Sequence, residues 1–339
     1  MSAAAMPSAN WTCGVRIAGT GSAVPDRILS NADFEKIVDT SDEWIFQRTG
    51  IRERRISDPS KEGTTTLSRD ALNRALESSG IAASELDLII CGTCTQEMTC
   101  PSTACRVAAA VGATPAAAFD LVAACSGFVY SLNVAESLIR SGRHKKVGVV
   151  GCDAMSSIID YCERGTSILF GDAAGAAILV RDENPSRGCI YQHLGADGRD
   201  WRSLYIPRRP QDVPPDATET TIRLGYLRMD GREVFKFAVT KFRQVIEDAM
   251  AKTGLGVDDV GLLVCHQSNI RIIEAAREKI GLRRDQVFTN IERYGNSSAG
   301  SVGLCLDQVW KAGLVPCEKP IILVAFGGGM TWASSVWRF

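Results

Sequence analysis

Residues 121–142 read LVAACSGFVYSLNVAESLIRSG, and residues 296–313 read NSSAGSVGLCLDQVWKAG. Both carry apolar residues at helical spacing, and both end in a glycine where a helix stops. When the endings SLIRSG and QVWKAG are aligned at Gly142 and Gly313, Cys125 falls over Asn296. The strand-like run LDLIICGT (86–93) then has a counterpart in GLLVCHQS (261–268), and FGDAAGAAILVR (170–181) has one in FGGGMTWASSVWR (326–338). The chain therefore reads as two copies of one unit in which apolar strands alternate with helices, an α/β fold with largely parallel strands.

The rest of the chain fits that frame. Residues 1–12 read as a flexible tail, residues 13–182 as the first half and residues 183–339 as the second. Residues 183–232 form a linking excursion rich in Pro, Arg and Asp (IPRRPQDVPPDATET, 206–220). VRIAGTGSAVP (15–25) reads as a strand and turn, and GTGSAV lacks the third glycine of a dinucleotide fingerprint. TSDEWIFQRTG (40–50) has Thr40 and Glu43 at capping-box spacing for a short helix.

With 339 residues, 45% of them hydrophobic and 23% charged, the chain can bury a large core. A formal net charge of -1 gives no global attraction to nucleic acid or to a membrane surface, so an anionic partner must meet a local basic patch. No basic region followed by an apolar run opens the sequence, and no segment reaches the length of a membrane span, so a cytoplasmic protein is expected. The twelve cysteines are dispersed through apolar runs, which points to reduced, mostly buried thiols. Cys91 and Cys94 form a C-x-x-C, with Cys100 and Cys105 nearby, so zinc and redox readings compete. The histidines, His144, His193 and His266, lie far from it, which disfavours a metal site.

Three polar residues sit where parallel α/β sheets place their chemistry. Cys125 follows a strand and opens a helix, His266 ends a strand, and Asn296 opens a helix. A thiol at a helix start has its thiolate favoured by the helix dipole and free amides, which makes Cys125 the nucleophile candidate. The small neighbours Ala123, Ala124, Ser126 and Gly127 allow a sharp turn and close approach of a substrate. Asn296 also suits a helix cap. FGGGM (326–330) offers amides for an oxyanion hole or simply a tight turn.

ACSGF (124–128), HQSNIRI (266–272), YGNSSAGS (294–301) and AFGGGMTW (325–332) resemble the motif set of β-ketoacyl-acyl-carrier-protein synthase III, the condensing enzyme that initiates type II fatty acid synthesis. TSDEWIFQRTGIRERR (40–55) and FGDAAGAA (170–177) resemble the same family, so the likeness runs from about Val15 to Phe339. The resemblance implies a thiolase fold, two pseudo-repeated halves in αβαβα layers, and a homodimer. It implies decarboxylative condensation of an acyl-CoA primer with malonyl-acyl carrier protein, with a CoA thioester as substrate and no metal or other cofactor. Cys125, His266 and Asn296 would be catalytic, the amides of Cys125 and Gly328 would form the oxyanion hole, and Phe326 would desolvate the departing carboxylate. Trp44, Arg48, Arg164 and Asn269 would contact CoA, and Arg271 would lie where the carrier protein docks. Cys100 stands where family members often close the acyl pocket with a bulky residue, which leaves the primer open between acetyl and something longer or branched. IPRRPQ (206–211) is also more basic than the family's usual loop.

Other readings remain. Papain-like proteases share the order Cys, His, Asn, yet the CGSCW-type signature is absent and a duplicated strand-helix scaffold does not suit them. A condensing enzyme or acyltransferase of secondary metabolism would use the same residues on another acceptor. A non-catalytic partner subunit would be expected to lack the nucleophile that Cys125 supplies.

Overall fold

The computed structural model of the chain describes residues 12–215, 217 and 223–339. The first half supplies strands β1 (Gly14–Ala23), β2 (Leu88–Gly92), β3 (Ala117–Leu121), β4 (Lys146–Asp153) and β5 (Ala173–Asp182). The second supplies β6 (Gly188–Ala196), β7 (Leu262–Cys265), β8 (Val287–Phe288), β9 (Ile321–Gly327) and β10 (Thr331–Arg338). They line up as one ten-stranded sheet in the order β8-β7-β9-β10-β6-β1-β5-β4-β2-β3. From each outer edge inward, the two halves repeat the same order. They join at the centre through a single parallel pair, Val15 with Gly188.

Five layers follow from which faces are apolar. β2, β7 and β9 are buried along their whole length and read as unbroken Leu, Ile and Val runs, as strands covered on both faces must. Two helices, α4 (Gly127–Arg140) and α7 (Gly300–Lys311), lie between the two halves of the sheet. Phe128, Leu132, Val302 and Leu306 share one core there with Ile90, Val149, Val264 and Leu323. Helices α2 (Thr64–Ser79) and α3 (Thr103–Val111) cover the outer face of the first half, and α5 (Gly231–Thr253) and α6 (Ile270–Ile280) cover that of the second. The expected αβαβα layering is thus present.

The central helices can approach the strands because glycine faces glycine. A Cβ on Gly175 of β5 would lie 2.2 Å from the backbone of Gly303 in α7, and one on Gly92 of β2 would lie 2.5 Å from Gly127 in α4.

Four expectations change. Each half is mixed: β3, β2 and β4 run parallel, whereas β5 is antiparallel to both β4 and β1, and the second half repeats this pattern. No helix long enough to reverse the chain across the sheet separates β4 from β5, so the chain returns antiparallel. The excursion begins later than residue 183, because Gly188–Ala196 is the first strand of the second half. The segment beyond β6 is packed, with Leu204, Ile206 and Leu227 covering Met155 and Phe170. The short helix α1 (Asp42–Thr49) is capped by Ser41, whose hydroxyl accepts from the Trp44 amide, one residue after the predicted Thr40. The predicted tail lies, apart from Thr12, outside the described residues, as do residues 216 and 218–222 of the excursion.

Gly175→Val forces the sheet away from α7 and is expected to lower stability by about 3 kcal/mol or more. Gly198→Ala, at a position with nothing within 4 Å of the added carbon, should change it by less than about 0.5 kcal/mol. Urea unfolding of both variants checks the contrast, and equal midpoints would show that the glycine contact does not govern the layer spacing.

Candidate active site

The C-terminal ends of equivalent strands in the two halves converge. Cys125 follows β3 and Asn296 follows β8, strands that occupy the same place in each half. His266 follows β7, Asp153 ends β4, and Phe326 and Gly327 end β9. The backbone amide of His266 donates to Val324 of β9 at 2.8 Å, which sets the imidazole edge-on to the Phe326 ring, with centroids 5.4 Å apart. Phe326 in turn meets Phe242 of α5 edge-on. All four of Cys125, His266, Asn296 and Phe326 are buried.

The turn carrying Cys125 is held from both sides. Ala124 has φ +48, and the Thr331 hydroxyl donates to the Ala123 carbonyl at 3.0 Å. A Cβ on Gly327 would come within 2.6 Å of the Cys125 nitrogen, so glycine is required for the loop after β9 to lie against Cys125. Gly328 is next along this loop and faces Ala124 and Leu204. Among the described residues, only Ala124, Ser298 and Met330 are non-glycine residues with positive φ, and all three belong to these site loops. Such strain persists where surrounding contacts over-determine it.

Asn296 is fixed through its backbone and its side chain. Its amide donates to Leu169 and its carbonyl accepts from Gly171, both within the FGDAAGAA segment and its lead-in. A Cβ on Gly171 would strike the Tyr294 carbonyl at 2.6 Å, which accounts for the glycine. The Asn296 Oδ1 accepts from the Ser298 amide at 2.9 Å, so the Nδ2 hydrogens remain to be aimed at a substrate.

Three residues that the sequence did not mark as site residues complete the site, Ser298 and Ser301 inside YGNSSAGS and Asp153 outside every quoted motif. The Ser298 hydroxyl donates to the Cys125 sulfur at 3.4 Å, and Ser301 Oγ lies 2.7 Å from His266 Nδ1. Asp153, fully buried, accepts from Thr93, Thr95 and the Cys94 amide on one oxygen and from the Ala299 amide on the other. Their signal in the sequence was limited to small polar residues inside otherwise apolar segments.

The electrostatics differ from the helix-dipole expectation. Cys125 sits in a short 3-10 turn ahead of α4. Burial pushes its thiol up to about 12, with Asp153 adding to the rise against the opposing Ser298 hydrogen bond. Burial also lowers His266 to about 3. Both groups are therefore neutral at rest.

The nucleotide-binding candidates gather about one indole. The Arg48 and Arg164 guanidinium groups lie 4.6 and 4.9 Å from the Trp44 ring centroid. Asn269 Nδ2 donates to the Arg48 carbonyl at 3.0 Å and its Oδ1 caps α6, so α1 and α6 hold Trp44, Arg48 and Asn269 together, while Arg164 comes from the short helix Arg164–Ser167 and donates to the Asp39 carbonyl at 2.9 Å. Arg271, exposed on the first turn of α6, rests over Phe235.

Cys100 is not brought in. It lies exposed on the loop before α3 and is absent from the lining of a cavity of about 700 Å³ that includes Cys94, Thr95, Val122, Ala154 and Ile206. Cys94 links that cavity to the site, since its thiol also lies against Ser298. Cys91 faces Ser68 in the outer core. Among the described residues no three His, Cys, Asp or Glu side chains converge as a metal-ligand set.

Because the Cys125 thiol is held protonated, its alkylation by iodoacetamide should rise about tenfold per pH unit from pH 7 to pH 10 without levelling. Peptide mass analysis separates Cys125 from the exposed thiols, and a plateau near pH 8 would mean that the amides outweigh burial.

The family model described as 3-oxoacyl-[acyl-carrier-protein (ACP)] synthase III matches residues 119–198, and the model of its C-terminal part matches residues 250–339. The chain is 46% identical over 320 residues to β-ketoacyl-[acyl-carrier-protein] synthase III of Caldanaerobacter subterraneus subsp. tengcongensis, covering 94% of this chain and 96% of the relative. The crystal structure of 3-oxoacyl-[acyl-carrier-protein] synthase III from Aquifex aeolicus VF5 superposes with a TM-score of 0.88 at 40% identity, covering 96% of this chain and all of that one. The priming β-ketosynthase of the R1128 polyketide biosynthetic pathway superposes with a TM-score of 0.87 at 34% identity, covering 96% of each chain. With its repeated halves, its Cys125 turn and a full-length relative at 46% identity, this chain belongs to the β-ketoacyl-acyl-carrier-protein synthase III family of thiolase-fold condensing enzymes.

Proposed function

We propose that this chain initiates fatty acid biosynthesis by condensing an acyl-CoA primer with malonyl-acyl carrier protein to give 3-oxoacyl-carrier protein, CO2 and CoA. The observation that carries this reading is the placement of one thiol and two hydrogen-bond donors, Cys125, His266 and Asn296, at equivalent strand ends of a duplicated fold.

In the first half-reaction the Cys125 sulfur adds to the acyl carbon, and collapse of the tetrahedral adduct breaks the bond from that carbon to the CoA sulfur, the thiol proton leaving on CoA. The oxyanion that forms is met by the amides of Cys125 and Gly328. The Ser298 hydroxyl steadies the sulfur as it gains charge. In the second, loss of CO2 from the malonyl group leaves an enolate whose oxygen takes hydrogen bonds from His266 and from Asn296 Nδ2. The carbanion then attacks the acyl carbon, the bond from that carbon to the Cys125 sulfur breaks, and the thiolate takes a proton from solvent to restore the thiol. Phe326 and Phe242 keep water from the carboxylate.

Trp44 stacks on the adenine, with Arg48 and Arg164 near the CoA phosphates and Asn269 on the pantetheine arm. Arg271, at the lip, meets the acidic carrier protein. The primer chain enters the cavity beside Cys94. A homodimer is supported by the outer edge of β3, where Phe119 and, just past the strand end, Val122 stand exposed beside unpaired backbone. Twelve unpaired thiols fit a reducing cytoplasm. The likeness to the R1128 priming ketosynthase favours, as the second reading, the same chemistry in a specialised pathway.

Intact-mass spectra after incubation with a series of acyl-CoAs should show one acyl adduct on the protein and none on Cys125→Ala, and an adduct on that variant would remove Cys125 from its role. His266→Ala and Asn296→Ala should still acylate but lose about 10²- to 10³-fold in release of ¹⁴CO2 from malonyl-carrier protein. Equal loss in both half-reactions would contradict the division of labour.

Arg48→Ala with Arg164→Ala should raise KM for acyl-CoA about tenfold while leaving decarboxylation by pre-acylated enzyme unchanged. An unaltered KM would place the nucleotide elsewhere.

A further inference from the structure

Asn296 has its amide orientation fixed by a backbone N–H, but the imidazole that works beside it carries one ring proton that can sit on either nitrogen. The second-copy segment YGNSSAGS contains a residue positioned to decide which. Ser301, on the first turn of α7 and 1% exposed, places Oγ 2.7 Å from His266 Nδ1 and 2.9 Å from the Ser298 carbonyl. A hydroxyl has a single proton, so only one of these contacts can be donated by Ser301.

We propose that Ser301 is the positioning residue that holds His266 in the tautomer with its proton on Nε2, so that the ring is a hydrogen-bond donor to the malonyl thioester oxygen; this rests on the condensing function proposed above. Two observations choose between the acceptors. The Ser298 carbonyl already accepts the Ser301 backbone amide at 3.2 Å, so it keeps a partner when the hydroxyl turns away. The imidazole lone pair is the more basic acceptor and the nearer one, and Ser301 is the hydrogen-bond partner seen at Nδ1. With Nδ1 accepting, Nε2 must carry the proton of the neutral ring. The neutral state is the one that burial favours for His266.

The arrangement gives the segment 296–301 one task. Its Ser298 amide turns the Asn296 NH2 group outward, and its Ser301 hydroxyl turns the His266 N–H outward. Both donors are aimed by the start of the same helix.

The chain has three histidines, so the imidazole ¹⁵N spectrum of the histidine-labelled full-length protein is resolvable, and His266→Gln assigns the signals. The expected spectrum for His266 has a protonated, pyrrole-type Nε2 and an unprotonated Nδ1. In Ser301→Ala the Nδ1 signal should move toward a tautomer mixture. Malonyl decarboxylation should fall roughly five- to tenfold, the worth of one hydrogen bond, while acylation of Cys125 is unchanged. Ser301→Thr, which keeps the hydroxyl, should restore both. A wild-type spectrum with the proton on Nδ1, or a Ser301→Ala spectrum with an unmoved tautomer, overturns the assignment. The tautomer is read without turnover, so failure here is separable from failure of the decarboxylation role, which would show as full CO2 release by His266→Ala.

Discussion

The Asp153 carboxylate is the contact on which the site depends. It ends β4 in the first half and accepts hydrogen bonds from Thr93, Thr95 and the Cys94 amide of that half and from the Ala299 amide of the other. A hydrogen bond to a charged group contributes about 1.5–3 kcal/mol, and one left unmade in a buried position costs more than it would have contributed. The loop before α7 is thus tied to the first sheet at Ala299. Its neighbour Ser298 holds an unfavourable positive φ there, with its hydroxyl on Cys125 and its amide on Asn296. That tie adds to the backbone contacts of Asn296 with Leu169 and Gly171 in fixing the loop before α7 against the first half.

Glycine supplies the complementary constraint. Gly175 against Gly303 and Gly92 against Gly127 let both central helices sink onto the strands, which carries the starts of those helices, and the turns before them, to the strand ends. The aligned copies show the same logic in their turns. Ala124 before Cys125 and Gly295 before Asn296 both have positive φ, although only one of them is glycine. The Cys125 turn accepts a non-glycine residue because Thr331 and Gly327 pack on it from the second half.

How far the sequence could be read depends on the range of each interaction. The duplication and the places of Cys125, His266 and Asn296 at strand or helix ends were legible, since apolar periodicity and terminal glycines act over a few residues, whereas the layering came only with the family resemblance. The antiparallel return from β4 to β5 was not, because no local pattern records that a connection lacks a crossover helix. β6 was hidden because its outer stretch, with Gln192 and His193, is polar on a partly exposed strand. Ser298, Ser301 and Asp153 were not legible because the partners of their side chains at the site lie 173, 35 and 146 residues away. Cys100 was placed by resemblance to a position, whereas Cys94, which reaches the cavity in this chain, stood out in sequence only as the second thiol of a C-x-x-C, a pattern that points to metal or redox chemistry.

Burial, more than the helix start, sets the charge state of the site, and the proposed condensation needs that outcome. Negative charge develops at two different oxygens in turn, first on the primer and then on the malonyl thioester. A cationic His266 would pair with the malonyl carboxylate and stabilise the very group that must leave as CO2, raising the barrier by strengthening the ground state. Held near neutral by burial, with the Phe326 ring against its edge, it offers little to the carboxylate and still donates to the enolate oxygen once charge appears there. A neutral thiol serves the same end, since a standing thiolate and imidazolium pair would draw water into a pocket that must stay dry for a carbanion to survive.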